Sequence, residues 1–418
     1  MKKNIVKVKS IIFNNKVIIE NYFFMTVLQI LNSFFYLLIY PFLIRSLGSE
    51  AYGTFIFATS IVTYFIFLIN FGFDFPAVKH AAQNISNNFE LEKLLSNIFT
   101  SKILLFIVSV CIIGMLYTFV PFIQANLILI IICFSQTLYH VLLPQWFFQA
   151  FEKMKIITYI QLATKFISLP VIFILVKNED DLIAYSIIVS LTSVISAIIA
   201  FFVIRFKFNF KIKITNFYEV SIWFKEAFPF FLSNSAGVIK EQSIIIIIGS
   251  FFGMKEVAIY DLANKIISIP KTLLTSVNSA IFPALVKNYD SIKIKKIIKI
   301  EYIVSLLVVL FIIIVGKYIV LFLGSKDMLM AYPLSILLSF TIMVWLVVGA
   351  YISFVFVPKN QYYFATKNQI LALTSFGVFC WLGLILKQNI LVLGIAIVLS
   401  GLCEILYCKW VIYKLKML

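Results

Sequence analysis

Runs of about twenty mostly apolar residues recur from one end of the chain to the other, separated by short polar stretches. A helix of about 20 such residues crosses the roughly 30 Å hydrocarbon core of a bilayer. The pattern predicts about twelve spans, near 17–44, 50–73, 97–119, 124–149, 156–176, 181–204, 223–249, 256–282, 298–323, 329–357, 365–386 and 389–412. An even number returns both termini to one side. The longest polar pieces are the head, Met1–Lys16, and the loops near 76–96, 205–222 and 283–297, none of which can house an extramembrane domain. The expected fold class is an all-α polytopic membrane protein.

Composition sharpens that reading. Hydrophobic residues make up 62% of the 418 positions and charged residues 13%, and the mean hydropathy is +1.04. No soluble fold hides that much apolar surface. The net charge of +17 would suit a nucleic acid if it were gathered in one patch, but it follows the loops instead. With the N-terminus inside, roughly 25 basic residues fall in inside loops and ends, among them Lys2, Lys3, Lys7, Lys9, Lys16, Lys102 and Lys287. The outside takes only Arg45, Lys177, Lys255, Lys317, Lys326 and Lys387. This is the positive-inside asymmetry. It excludes nucleic acid as the partner, places both termini in the cytoplasm, and sets Lys287–Lys299 against anionic membrane lipids. The head lacks a short apolar core ending in small residues, so the first span is expected to remain as an anchor. Cys111, Cys133, Cys380, Cys403 and Cys408 lie in apolar runs without a C-x-x-C pair and read as packing residues.

Shifting the chain against itself by 205 residues aligns Gly48 with Gly253, Gly53 with Ala258, Phe55 with Tyr260, Ala58 with Ala263 and Phe23 with Phe228. In both copies a span ends, a glycine turns the chain, and a new span begins. An offset near half the length predicts two six-helix halves, 1–210 and 211–418, around a central cavity, with the basic loop 205–222 as linker. Six helices per half makes the repeats parallel.

Ionisable groups within spans cost several kcal/mol, at about 2.5–3.5 kcal/mol each on insertion scales, and usually face a cavity or a partner. The seventh predicted span carries Lys240 and Glu241, and the eighth Asp261, Lys265 and, after Pro270, Lys271. Lys165 lies near mid-depth, and Arg45 and Asp74 sit near the ends of the first two spans. Two readings stand side by side. In the first, Lys240, Lys265, Lys165 and Arg45 line a hydrated cavity for an anionic substrate, while Glu241, Asp261 and Asp74 carry a coupling proton or ion. In the second, Asp261 and Lys265 neutralise each other one turn apart, and Arg45, Asp74 and Lys271 reach the interface along their stems. His140 is expected to pair with Gln136 on its own helix face. The glycines and Pro41, Pro229 and Pro283 read as turn, packing and kink positions.

The chain carries no phosphate-binding G-x-x-x-x-G-K-[ST] loop, no H-E-x-x-H and no paired C-x-x-C. It is therefore read as a non-enzyme without cofactor or metal. A membrane polymerase or ligase would need a bulky outside loop, and the first outside connection, Ser46–Ser49, is far too short.

Three segments carry a family resemblance. They are YPFLIRSLGSEAYGTFIFATSIVTYFIFLINFGFDFPAVKHAAQN (40–84), QWFFQAFEKMKIITYIQLATKFIS (145–168) and KEAFPFFLSNSAGVIKEQSIIIIIGSFFGMKEVAIYDLANKI (225–266), followed by IFPALVK (281–287). In order and spacing they resemble the Wzx-type polysaccharide-unit flippases of the multidrug/oligosaccharidyl-lipid/polysaccharide exporter superfamily. Ala150 stands where that family has glycine.

The resemblance implies a bacterial inner-membrane flippase for an oligosaccharide repeat unit on a polyprenyl diphosphate, feeding O-antigen or capsule assembly by alternating access. It implies a polysaccharide polymerase and a chain-length regulator as partners. A cation-coupled small-molecule or drug antiporter of the same superfamily is the first alternative. It would call for acidic and aromatic lining, whereas lysine prevails here. A polysaccharide polymerase or ligase is the second.

Overall fold

The computed structural model describes residues 16–287, 290–386 and 388–418. The basic head with Lys2, Lys3, Lys7 and Lys9, and Lys387, lie outside the described residues, as do the side chains of Lys16, Pro283 and Lys287. Among the described residues every regular element is helical.

The helices follow the apolar runs. The first, α1 (Lys16–Asn70), contains the first predicted span and all but the last three residues of the second. Its two limbs meet at Gly48, whose backbone leaves helical space at φ 75, ψ 166. A left-handed φ suits glycine because it has no Cβ to clash with the following carbonyl. The repeat partner, Gly253, does the same at φ 107. It separates α10 (Phe217–Phe251) from α11 (Met254–Lys287). The faint sequence repeat therefore marks two corners built on the same backbone device.

Between them lie α2 (Asp74–Gln83), α3 (Asn88–Phe119), a broken fourth span, α8 (Met154–Leu175) and α9 (Leu182–Lys207). The broken span consists of α4 (Pro121–Ala125), α5 (Leu127–Ser135), α6 (Thr137–Leu142) and α7 (Gln145–Ala150). Then follow α12 (Ser291–Leu323), α13 (Ala331–Tyr351), α14 (Tyr362–Leu386) and α15 (Ile390–Lys414). A π-helical turn, Ile352–Phe356, continues α13. Asp290 caps α12, accepting from the backbone of Ile292 and Lys293 and pairing with the Lys293 ammonium at 3.2 Å. Those bonds hold its carboxyl below the usual carboxylate range.

Ten helical segments among the described residues are long and apolar enough to cross a membrane. The first of them includes both limbs of α1, and α11 has the length but is more polar, with Asp261, Lys265 and Lys271. Counting both limbs and α11 gives the expected figure of about twelve.

Two compact units divide the chain, and they interleave along it. One gathers residues up to Asn32, Ile61–Lys177 and Asp181–Leu232; the other gathers Ser33–Ser60, Asn178–Asp180 and Ser233–Leu418. The first unit packs around Leu91, Leu94 and Leu95 of α3, Trp146, Phe147 and Phe148 of α7, and Ala197, Ala200 and Ile204 of α9. The tryptophan–phenylalanine motif is thus core, each ring at most 1% exposed. The turn after it needs no glycine at Ala150, because the left-handed residue is Glu152 at φ 54. The second unit packs around Ile294 and Ile298 of α12, Val347 and Ala350 of α13, and Cys408 and Val411 of α15.

The basic linker is an ordered strap on α3. Backbone N–H groups of Lys211, Lys213 and Thr215 donate to Glu92 Oε1, Ser96 Oγ and Thr100 Oγ1 at 2.7, 3.0 and 3.1 Å. The match is geometric. Every second extended residue advances about 6.6 Å, and every fourth helical residue about 6 Å, so the two ladders stay in step over three rungs. Lys93 pairs with Glu219 at 2.9 Å just beyond it. Replacing Ser96 by Ala and Thr100 by Val together removes two acceptors. Hydrogen exchange should then rise across 211–216 while α3 keeps its protection; unchanged exchange there would show that the strap is held by other means.

Candidate functional site

Four of the predicted ionisable residues, Asp261, Lys265, Lys240 and Asp74, belong to three polar clusters, and each cluster lies within one compact unit.

Around Asp261, the first turns of α11 meet the limbs of α1. Tyr52 Oη donates to Asp261 Oδ2 at 3.0 Å, and Lys265 Nζ stands 3.9 Å from Oδ1. The same ammonium sits 4.4 Å from the ring centroid of Tyr36, a cation–π contact. Tyr40 Oη donates to the Ala258 carbonyl at 3.2 Å, and its ring meets that of Tyr52 edge-on. Asp261 is 7% exposed, whereas the Lys265 side chain keeps 31%. The expected neutralisation of Asp261 by Lys265 is therefore present. It is shared with a tyrosine hydroxyl that local spacing does not reveal.

Lys240 takes a different partner from its neighbour Glu241. Successive helical residues point about 100° apart, so adjacent charges do not face each other. Lys240 Nζ lies 3.0 Å from Glu404 Oε1 of α15, and Glu241 is exposed. Glu404 Oε2 accepts from Asn368 Nδ2 of α14 at 3.3 Å. Cys408 Sγ donates to Asn368 Oδ1 at 3.7 Å. Asn368 and Glu404 are 0% and 8% exposed. Nearby in the chain, Lys271 Nζ stands 3.5 Å from the ring centroid of the half-exposed Trp345.

The third cluster surrounds Lys102, which sequence position alone assigns to an inside loop. It is buried on α3, 3% exposed. Its ammonium donates to Asn70 Oδ1 at 3.3 Å and to the His140 carbonyl at 3.1 Å, with Asp74 Oδ1 at 3.8 Å. The cause is Pro144. Proline has no N–H, so His140, four residues earlier, has no helical donor for its carbonyl. The chain leaves helical space at Leu143, as residues before proline do. Lysine supplies the missing hydrogen. His140 Nδ1 lies 3.2 Å from Asn70 Nδ2, and Gln136 Nε2 donates to Ser190 Oγ at 3.3 Å. The expected His140–Gln136 pair is thus replaced by two cross-helix pairs.

Of the remaining candidates, Lys165 donates to Asn32 Oδ1, both half-buried. Arg45 is exposed three residues before the Gly48 corner. Glu404, Asn368, Tyr52 and Tyr36 are polar partners that the sequence pattern does not single out, and Lys102 is one that it assigns to a loop. An acid or amide in an otherwise apolar run is the signal that finds Glu404 and Asn368.

The sequence model of the family described as "Polysaccharide biosynthesis protein" matches residues 18–289. A protein of Escherichia coli (strain K12) named "Putative O-antigen transporter" is 25% identical over 283 residues, 68% of this chain and 68% of that one. A Shigella dysenteriae protein of the same name is 26% identical over 274 residues, 65% of this chain and 68% of that one. Among solved structures, an inward-facing multidrug resistance MATE family transporter of the MOP superfamily superposes with a TM-score of 0.68 at 14% identity, covering 92% of this chain and 95% of that one. The lipid II flippase MurJ, inward closed, superposes with a TM-score of 0.66 at 13% identity, covering 95% and 86%. At such identities these two likenesses concern the fold.

Proposed function

The chain belongs to the polysaccharide biosynthesis protein family, and from that premise we propose that it is a flippase of the bacterial inner membrane. Its cargo in this reading is an oligosaccharide repeat unit on a polyprenyl diphosphate, bound for O-antigen or capsule assembly. Both termini are cytoplasmic, and a polymerase and a chain-length regulator act after it. The transporter relatives and the flippase fold support a transport role rather than catalysis.

The observation that carries the proposal is the set of lysines held inside membrane-crossing helices, of which Lys240, Lys265, Lys165 and Lys102 each stand beside a polar or acidic partner. A diphosphate and a hydrophilic sugar cannot enter hydrocarbon unaided, because each unpaired polar group costs about 2–7 kcal/mol. Lysines within spans offer the headgroup compensating charge while the polyprenyl tail stays in lipid. In this reading Lys240, Lys265, Lys165 and Arg45 receive the anionic headgroup, and Glu241, Asp261 and Asp74 carry the coupling proton or ion. The halves 1–210 and 211–418 rock about the linker to alternate access.

Deletion of the gene should abolish surface polymer and leave intact lipid-linked units on the inner leaflet, measured by mass spectrometry with leaflet-selective labelling. Units fully exposed on the outer leaflet would instead indicate a polymerase or ligase. Re-expression of Lys240→Ala with Lys265→Ala at wild-type level should restore little polymer. Full restoration would end the anion-holding role of these two lysines.

A further inference from the structure

The Lys240–Glu404 pair is unlike the other ion pair within spans among the described residues of its unit. Asp261 and Lys265 sit one turn apart on α11, and their bond ties no helix to another. Lys240 and Glu404 are 164 residues apart, and their bond ties α10 to α15. The two ends are also unequal. Glu404 is fixed: one oxygen accepts from Asn368, which is itself 0% exposed and is held by Cys408. Lys240 has no second hydrogen-bond acceptor among the described contacts and sits on a four-carbon stem. Its side chain keeps 16% exposure against 10% for Glu404.

A buried ion pair of this kind is close to thermodynamic break-even, because desolvation of both charges nearly cancels their attraction. Such a contact is easily exchanged for a better one. A diphosphate carries more negative charge than one carboxylate and offers several oxygens to the same ammonium. The lysine can therefore move to the headgroup, while the carboxylate stays on Asn368. When it does, the bond between α10 and α15 is lost.

We propose that Glu404 is a positioning residue whose carboxylate holds Lys240 as an internal competitor of the diphosphate, so that headgroup binding releases α10 from α15. The proposal rests on the flippase reading given above. Glu404 does not touch the cargo; it sets how tightly Lys240 can. It also makes the empty carrier self-neutralised at this point, so that smaller anions with one charge gain little by entering.

The test uses the full chain, purified in lipid-containing micelles, with farnesyl diphosphate as a short polyprenyl diphosphate probe and farnesol as the uncharged control. Binding is read by tryptophan fluorescence, and folding by thermal denaturation of the same samples. Removing the competitor with Glu404→Gln should tighten farnesyl diphosphate binding about tenfold, while thermal stability falls. A merely structural glutamate would lower both, so the opposite signs are diagnostic. Lys240→Met should lose the gain whether or not Glu404 is replaced. Should E404Q not fold, Glu404→Asp, which only lengthens the pair, should tighten binding to a smaller degree. Equal or weaker affinity in the folded Glu404 variant overturns the competition. Binding that is the same in wild type, E404Q and K240M overturns it too, but leaves the diphosphate reading standing on the other lysines. Failure of every form to prefer farnesyl diphosphate over farnesol overturns both.

Discussion

Gly53→Val should abolish stable insertion of the protein and, with it, surface polymer. A Cβ built on Gly53 would lie 1.8 Å from the backbone oxygen of Met254 and 2.6 Å from its carbonyl carbon. Nothing there is the far end of a flexible side chain; one corner of the chain rests directly on the backbone of the other. Over-packing a filled site costs about 1–3 kcal/mol when side chains can adjust, and more when they cannot. Here the limb of α1 would have to move off the turn that follows Gly253. That move would also pull Tyr52 away from Asp261, one residue along from Gly53. Alanine at this position should already lower the thermal midpoint, and valine should yield little monodisperse protein in detergent. Gly114→Ala is the matched control. It adds a methyl to a helical glycine with nothing within 4 Å, so it should be neutral or slightly stabilising, by about 0.5–1 kcal/mol from helix propensity. A Gly53→Val protein with wild-type yield and midpoint would show that the two corners do not bear on each other.

The same corner shows what the sequence could and could not disclose. The helices were legible because each must present about twenty apolar residues to lipid. Position along the chain also located the turns, since Gly48 and Gly253 stand where one run stops and the next begins. The contact of Gly53 with Met254 was not legible, because it joins residues about half the chain apart and only packing brings them together. Charge behaved likewise. Asp261 and Lys265 could be paired by counting one helical turn, and they are paired. Lys240 could not, because its partner lies on α15. The nearest acid in the chain, Glu241, points about 100° away on the same helix. Lys102 was misplaced for a related reason. Sorting lysines by loop treats a residue a few positions inside an apolar run as interfacial, and long stems normally allow that. Burial at this position had a local cause, Pro144, but on another helix. Loop counts register how many lysines lie near an interface; they do not register which carbonyl has lost its donor.

Lys102→Met should destabilise the protein by about 2–4 kcal/mol, although the change keeps the length of the side chain and removes a buried charge. Three effects compete. The ion pair with Asp74, at 3.8 Å and with the acid half-exposed, contributes little, as exposed pairs contribute about 0–1 kcal/mol. Removing an ammonium from an apolar core is favourable in itself. Against these stands the loss of the donor to two acceptors, Asn70 Oδ1 and the His140 carbonyl. Each acceptor left unpaired in the interior costs about 1–3 kcal/mol. The carbonyl has no helical donor to fall back on, since residue 144 is proline. The unpaired acceptors should therefore outweigh the gain from removing the charge. Thermal denaturation in detergent checks the sign. A double-mutant cycle checks the cause: Asn70→Leu in the Lys102→Met background removes one of the orphaned acceptors and should cost less than Asn70→Leu in the wild type, by about 1 kcal/mol or more. A Lys102→Met protein as stable as wild type would mean that the break at Pro144 is satisfied by other donors. Strict additivity would mean that Asn70 and Lys102 hold the break separately.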